Sequence, residues 1–324
     1  MAIFQFPGYT RRQVMQMGLA TGVAATLTSE TLLASSITKT ITKALPGSHE
    51  KLPVIGIGTN SFQLKNLAAV RDVLKRFHEL GARVIDTSAR YGESEATIGQ
   101  ALADLKLRKQ LFIVSKVMGH EPPTGGNNRP SPPGSLYAEA SFEHSLQALK
   151  TDYLDVLLVH GMIGVEDMIP RMLKWKKEGK IRYIGVSGWQ TEDHAQLVDC
   201  MKTYPLDMVE INYSIANRDA AETVFPVALE RKVGVITNVP LGGRGDNNMV
   251  GSRKAALPPW AAELGITSWA QYMLKYGVSH PAVTCAIPGS SNIKHLEDNQ
   301  HAGIGKLPDQ AMRQKMEEYW DQAG

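Results

Sequence analysis

Val84-Ile85-Asp86-Thr87-Ser88-Ala89-Arg90-Tyr91-Gly92-Glu93-Ser94-Glu95-Ala96-Thr97-Ile98-Gly99 reads as one complete strand–turn–helix unit. The apolar run between Arg83 and Thr87 predicts a short strand buried on both faces. From Ser94 onward Ile98, Leu102 and Leu105 recur at helical spacing, which predicts a helix over 94–105. The turn between them is polar. It carries a carboxylate, Asp86, where the strand ends and a phenol, Tyr91, in the loop beyond, a pairing suited to proton chemistry.

The same unit repeats along the chain. Candidate strands at 54–59, 83–87, 111–116, 153–160, 182–187, 208–213, 234–239 and 282–287 alternate with helical patterns near 67–80, 94–105, 136–149, 165–177, 191–202, 218–231, 268–276 and 292–301. Strands rich in Val and Ile, each followed by a helix, call for a parallel sheet covered on its outside. Eight such units within 51–324 predict an α/β fold, a closed (β/α)8 TIM barrel rather than an open doubly wound sheet. Gly56-Ile57-Gly58-Thr59-Asn60 lacks the third glycine of a dinucleotide fingerprint and opens no helix directly, so it reads as the first barrel strand. The last helix, from Pro308 to about Trp320, has no strand after it and is an extra C-terminal helix.

Bulk properties exclude several classes of partner. A formal net charge of +3 on 324 residues is too small to argue for nucleic acid or an anionic membrane. Cys200 and Cys285 lie far apart, give no disulfide framework and no metal-ligand spacing, and read as buried small hydrophobes, so no metal is expected.

The N-terminus is a separate object. Thr10-Arg11-Arg12-Gln13-Val14-Met15-Gln16 precedes an uncharged run, Met17 to Thr28, too short and too rich in Thr and Gly for a membrane span. A basic start, a weak apolar core and the small residues Ala34-Ser35-Ser36 fit a secretory signal over 1–36. The arginine pair, with Val14 after it, resembles the bacterial twin-arginine signal, although Gln16 stands where a lysine is often found. That implies the twin-arginine export machinery as a partner, transport in the folded state and a periplasmic location, or a cytoplasmic one if the N-terminus is not such a signal. A linker is expected over 37–50, with Pro46-Gly47-Ser48 as its breaker.

In a barrel of this kind the chemistry sits at the C-terminal ends of the strands. There the strands end in Asp86, in Lys116 and in His160, with Tyr91 beside the first. A tyrosine is a poor acid near neutrality, and a neighbouring ammonium lowers its pKa, while a buried lysine needs a carboxylate to stay charged. Asp86–Lys116–Tyr91 is therefore expected to act as a relay that makes Tyr91 a usable proton donor or acceptor, and His160 to orient the substrate oxygen.

These residues match, one by one, the catalytic tetrad of the aldo-keto reductases. The surrounding blocks resemble that family too: Tyr91-Gly92-Glu93-Ser94-Glu95, Asp155-Val156-Leu157-Leu158-Val159-His160, and Gly179-Lys180-Ile181-Arg182-Tyr183-Ile184-Gly185-Val186-Ser187. The resemblance covers nearly everything after residue 50. It implies hydride transfer between NADP(H) and a carbonyl or alcohol, with Tyr91 as general acid/base assisted by Lys116, Asp86 and His160.

The resemblance also places the cofactor residues, with departures. Ser187 matches a residue that holds the nicotinamide carboxamide, but its usual Asn partner is Gly188. Glu210 stands where Gln is usual, and Asn238 where many members stack a Tyr. Leu241-Gly242-Gly243-Arg244-Gly245 resembles the loop that covers the pyrophosphate. Ile287-Pro288-Gly289-Ser290-Ser291-Asn292 opens a helix, a ready anion site, and matches the adenosine-phosphate loop with Ser290 and Asn299 in place. The usual arginine there is absent, and Lys294 and His295 are its substitutes, which leaves NAD open beside NADP. Thr59 and Asp86 complete the cofactor side. Phe62, Met118 and Trp189 are expected to form the substrate wall, with the Gly- and Pro-rich loop from Met118 to about Ser135 above the mouth. The departures keep two alternatives open: a nucleotide-binding barrel with a sensing or structural role, and a redox-neutral enzyme with a tightly held NAD(P).

Overall fold

A computed structural model of the chain describes residues 40–123, 136–243, 249–251 and 253–323. The expected export signal, residues 37–39 of the expected linker, the loop tip 124–135 and Arg244-Gly245 lie outside the described residues.

Eight parallel strands follow one another around the sheet in chain order: β3 (Ile57–Gly58), β4 (Val84–Asp86), β5 (Phe112–Val117), β6 (Leu154–His160), β7 (Ile181–Ser187), β8 (Met208–Asn212), β9 (Gly234–Asn238) and β10 (Val283–Ala286). Parallel bridges Ile55↔Ala286 and Gly58↔Gly289 bring the first strand against the last. Gly56 N donates to Ala286 O at 2.8 Å across that seam. The sheet thus curls into a nearly closed (β/α)8 TIM barrel with helices between its strands, as the alternation predicted.

Successive residues of a strand point to opposite faces, so each strand supplies two cores. Ile85, Ile113, Leu157, Val159, Ile184, Val209 and Val235 join the core beneath the helices. Val84, Phe112, Val114, Val156, Leu158, Met208, Ile236 and Cys285 form a second cluster inside the barrel. The final helix, Gln310–Gln322, packs on the outside: Tyr272 Oη donates to Met316 O at 2.8 Å, and Arg313 Nη2 donates to Tyr213 Oη at 2.7 Å.

Much of the expected linker is part of the folded body. β1 (Thr42–Ala44) pairs antiparallel with β2 (Lys51–Pro53) around the turn at Pro46-Gly47-Ser48. Leu45 and Leu52, both fully buried, complete the inner cluster beside Val84 and Phe112. Lys43 Nζ donates to His280 O and Val283 O, each at 2.7 Å, fastening the hairpin where β10 begins. The hairpin escapes notice in the sequence because it is short and carries only two inward apolar residues. No helix among the described residues is long and apolar enough to cross a membrane.

Candidate active site

Period-two alternation lifts the inner cluster into a polar layer. On β4 the residue above Val84 is Asp86, and on β5 Lys116 follows Phe112 and Val114. On β6 His160 follows Val156 and Leu158, on β8 Glu210 follows Met208, and on β9 Asn238 follows Ile236. The same face of each strand is therefore apolar low in the barrel and polar at its C-terminal end. Asp86, Lys116 and Glu210 are each 2 % exposed or less.

Lys116 Nζ donates to Asp86 Oδ2 at 2.5 Å and to Thr87 O at 3.1 Å. It also lies 3.2 Å from Glu210 Oε2, without the alignment of a hydrogen bond. The ammonium sits 5.2 Å from the centre of the Tyr91 ring, and the His160 ring meets Tyr91 edge-on at 5.9 Å between centroids. Ser88 Oγ and His160 Nδ1 are 3.0 Å apart, which orients the imidazole. The loop carrying Tyr91 is tied down from below, where Ser94 Oγ donates to Thr59 O at 2.9 Å and contacts the hydroxyls of Thr59 and Thr87. All four residues expected for proton chemistry come together at one mouth. Ser88, absent from the expected site residues, contributes a hydrogen bond to His160.

The electrostatics differ from the expected relay. Burial, then the charge of Glu210, push the Asp86 carboxyl well above the usual carboxylate range, against the pull of Lys116. Burial alone would lower the Lys116 ammonium, but Asp86, Glu210 and Tyr91 overrule it and hold it above its ordinary value. Tyr91 is pushed up to about 12, chiefly by burial; Lys116 pulls it down, and Asp86 and Glu210 push it up. The expected fall in the Tyr91 pKa is thus reversed: burial outweighs the pull of Lys116, and the carboxyl groups of Asp86 and Glu210 add to the rise.

The three positions that depart from the family pattern form one network. Asn238 Nδ2 donates to Gly188 O and to Glu210 Oε1, both at 2.9 Å, and Gly188 N donates to Glu210 O at 2.8 Å. A Cβ on Gly188 would stand 2.7 Å from Asp193 Cβ and 3.1 Å from Ile211 Cδ1, so no larger residue fits unless that turn moves. Asp193 is held there because its Oδ2 accepts from Trp189 N at 2.8 Å. Ser187 Oγ accepts weakly from Gly161 N at 3.4 Å.

The remaining candidates lie around this centre. Thr59 is buried and its hydroxyl donates to Asp86 O at 2.8 Å. Leu241 and Gly243 follow β9, and Leu241 O accepts from Met249 N at 2.9 Å. Ser290 is buried just before the helix Ile293–His301, and Asn299 is buried within it. Lys294 and His295 are exposed in its first turn, where their backbone amides donate to Asn292 Oδ1 at 2.8 and 3.4 Å. Of the expected substrate wall, Trp189 is exposed and Met118 is buried with its sulfur accepting from Arg90 Nη1 at 3.3 Å. Phe62 packs into the outer core, 1 % exposed, and presents no open face.

The family model described as the aldo/keto reductase family matches residues 54–319. The chain belongs to that family. As an aldo/keto reductase it is an oxidoreductase, and its relatives agree. Methylglyoxal reductase YeaE of Escherichia coli K12 is 31% identical over 259 residues, covering 76% of this chain and 84% of that protein. An aldo/keto reductase from Klebsiella pneumoniae, solved in complex with NADP and acetate, has a TM-score of 0.67 at 27% identity, over 87% of this chain and 95% of that one. The aldo-keto reductase AKR11C1 of Bacillus halodurans has a TM-score of 0.70 at 22% identity, over 86% and 96% of the two chains, a likeness of fold.

Proposed function

We propose that this aldo/keto reductase reduces a small reactive carbonyl with NADPH, using Tyr91 as the proton donor. The observation that carries the reading is the buried Lys116–Asp86 pair at 2.5 Å, with the ammonium 5.2 Å from the centre of the Tyr91 ring and His160 edge-on to that ring. The residues suit the cofactor. Asn238 Oδ1 and Glu210 Oε2 are buried acceptors without a hydrogen-bond donor among the described residues, and a primary carboxamide brings N–H groups that such acceptors need. The Klebsiella relative's NADP and the name of the Escherichia coli relative support the cofactor and the carbonyl class. When bound, the nicotinamide supplies a hydride for the carbonyl carbon. Tyr91 gives its proton to the carbonyl oxygen, His160 orients that oxygen, and Lys116, held charged by Asp86, stabilises the phenolate left behind. Steady-state reduction of methylglyoxal with NADPH tests this. Tyr91→Phe is expected to lower kcat by about 100-fold or more while leaving NADP affinity within a few-fold. Undiminished turnover by that variant would sink the assignment and favour a sensing or structural barrel.

We further propose that the chain is exported folded by the twin-arginine route with its cofactor inside, and that residues 1–36 are the signal. Arg11-Arg12 and the weak apolar run after them support this. Cell fractionation checks it: Arg11→Lys with Arg12→Lys is expected to leave the full-length chain in the cytoplasm. Mass spectrometry of small molecules released from the wild type is expected to find one nicotinamide dinucleotide per chain.

A further inference from the structure

The end of the barrel remote from the mouth holds a cavity of its own. Its volume is about 390 Å³, within the range of small-molecule sites, and it lies where β9 and β10 begin. The hairpin contributes Lys43 and Pro46 to it. The end of the helix Phe225–Arg231 and the residues after it contribute Leu229, Lys232 and Val233, and Pro281 stands before β10. The wall is mostly apolar, and Lys43 and Lys232 are the only charged residues in it.

Those two charges are of one sign. Among the described residues no carboxylate forms an ion pair with Lys43, with Lys232 or with Arg313, whose charge also bears on Lys43. Burial first, then Arg313, bring the Lys43 ammonium down to about 8, so at neutral pH it is still charged and has no counter-ion. An ammonium has three N–H donors, and two of those on Lys43 go to His280 O and Val283 O. The third has no acceptor among the described residues. Lys275 offers the contrast of a purely structural lysine: it too donates to two carbonyls, Ile304 O and Lys306 O, but it is wholly buried. Lys43 is half-buried and borders open space. A carboxylate there supplies the missing counter-charge and an acceptor for the third donor, and a hydrocarbon chain on the apolar wall gains by leaving water.

We propose that this cavity binds a small amphipathic carboxylate, with its head paired to Lys43 and Lys232 and its hydrocarbon body against Leu229 and Val233. Such a ligand joins the hairpin to the segments that lead into β9 and β10, and so stabilises the fold from the end opposite Tyr91.

Isothermal titration calorimetry of the full chain with octanoate tests this, with 1-octanol as the uncharged control of equal chain length. Octanoate is expected to bind saturably and to raise the Tm, and octanol to bind about tenfold more weakly or less. Lys43 fastens the hairpin, so the variants are placed elsewhere in the wall. Lys232 ends its helix at a φ of 56°, a conformation that asparagine tolerates, so Lys232→Asn removes the charge and keeps the turn. It is expected to weaken octanoate about threefold. Leu229 is exposed, and Leu229→Asp, which sets a like charge beside the ligand, is expected to weaken octanoate about tenfold or more. Without ligand both variants are expected to melt close to the wild type. Absence of octanoate binding to the wild type would overturn the proposal, as would equal binding of octanol. So would undiminished octanoate binding in both variants, the result expected of a carboxylate held at the mouth.

Discussion

Glu95 closes the opening turn of the helix Ser94–Leu105 and is buried, 3 % exposed. Ser115 Oγ donates to its Oε1 at 2.5 Å, and burial pushes the carboxyl up to about 7, with Ser115, Ser145 and Lys116 pulling the other way. The folded value lies above the ordinary 4.5, so the folded state binds this proton more tightly than the unfolded chain. Stability is therefore expected to fall as pH rises from about 4.5 to about 7 and to level off above, by about 3 kcal/mol. Glu95→Gln should flatten that slope, and urea denaturation at acid and mildly alkaline pH checks it: equal slopes in the two proteins would refute it. At this scale the sequence was partly legible. Asp86, Lys116 and His160 announce themselves as ionisable residues that close apolar strands. The sign of the Tyr91 shift was not legible, because counting only Lys116 and Asp86 leaves out burial and Glu210, which reaches the site from a strand far along the chain.

The helix Ser94–Leu105 approaches the loop after the helix Ala138–Ala148 so closely that a Cβ on Gly99 would collide with the backbone of Ala148 and Leu149. Alanine gains about 1 kcal/mol of helix propensity over glycine, but backbone cannot yield as a flexible side chain does. Gly99→Ala is accordingly expected to destabilise by about 1–3 kcal/mol net, measured as a lower denaturation midpoint at unchanged slope. The hairpin makes a second prediction. Leu45 is fully buried in the cluster inside the barrel, so Leu45→Ala should cost about 2–5 kcal/mol while leaving the mouth intact, read as a lower Tm with unchanged KM. The barrel strands were legible because Val- and Ile-rich runs buried on both faces need no alternation to stand out. The hairpin was hidden by its Pro and Gly, which signal a turn but do not say that the flanking residues pack. The short helical turn at Pro259–Leu264 went unread for the same reason.

The compact unit that holds the site begins at Thr40. A chain that starts there is expected to fold and to keep the turnover of the whole protein, whereas one that starts after Pro53 loses both inner leucines and should fail to reach the native state. Circular dichroism melts and methylglyoxal turnover distinguish the two. The hairpin has a further consequence, for the timing of folding. Lys43 holds carbonyls of His280 and Val283, partners 237 and 240 residues away along the chain. Thr40 bridges to Ile304. The first described strand thus cannot take its place until the segment from His280 to Ile304 has been synthesised, and contacts of such long range are slow to close. A nascent chain that has not yet reached β10 leaves Leu45 and Leu52 without Cys285, which belongs to the same inner cluster. Joining the hairpin to β10, a contact of very long range along the chain, is accordingly expected to be a late step of folding.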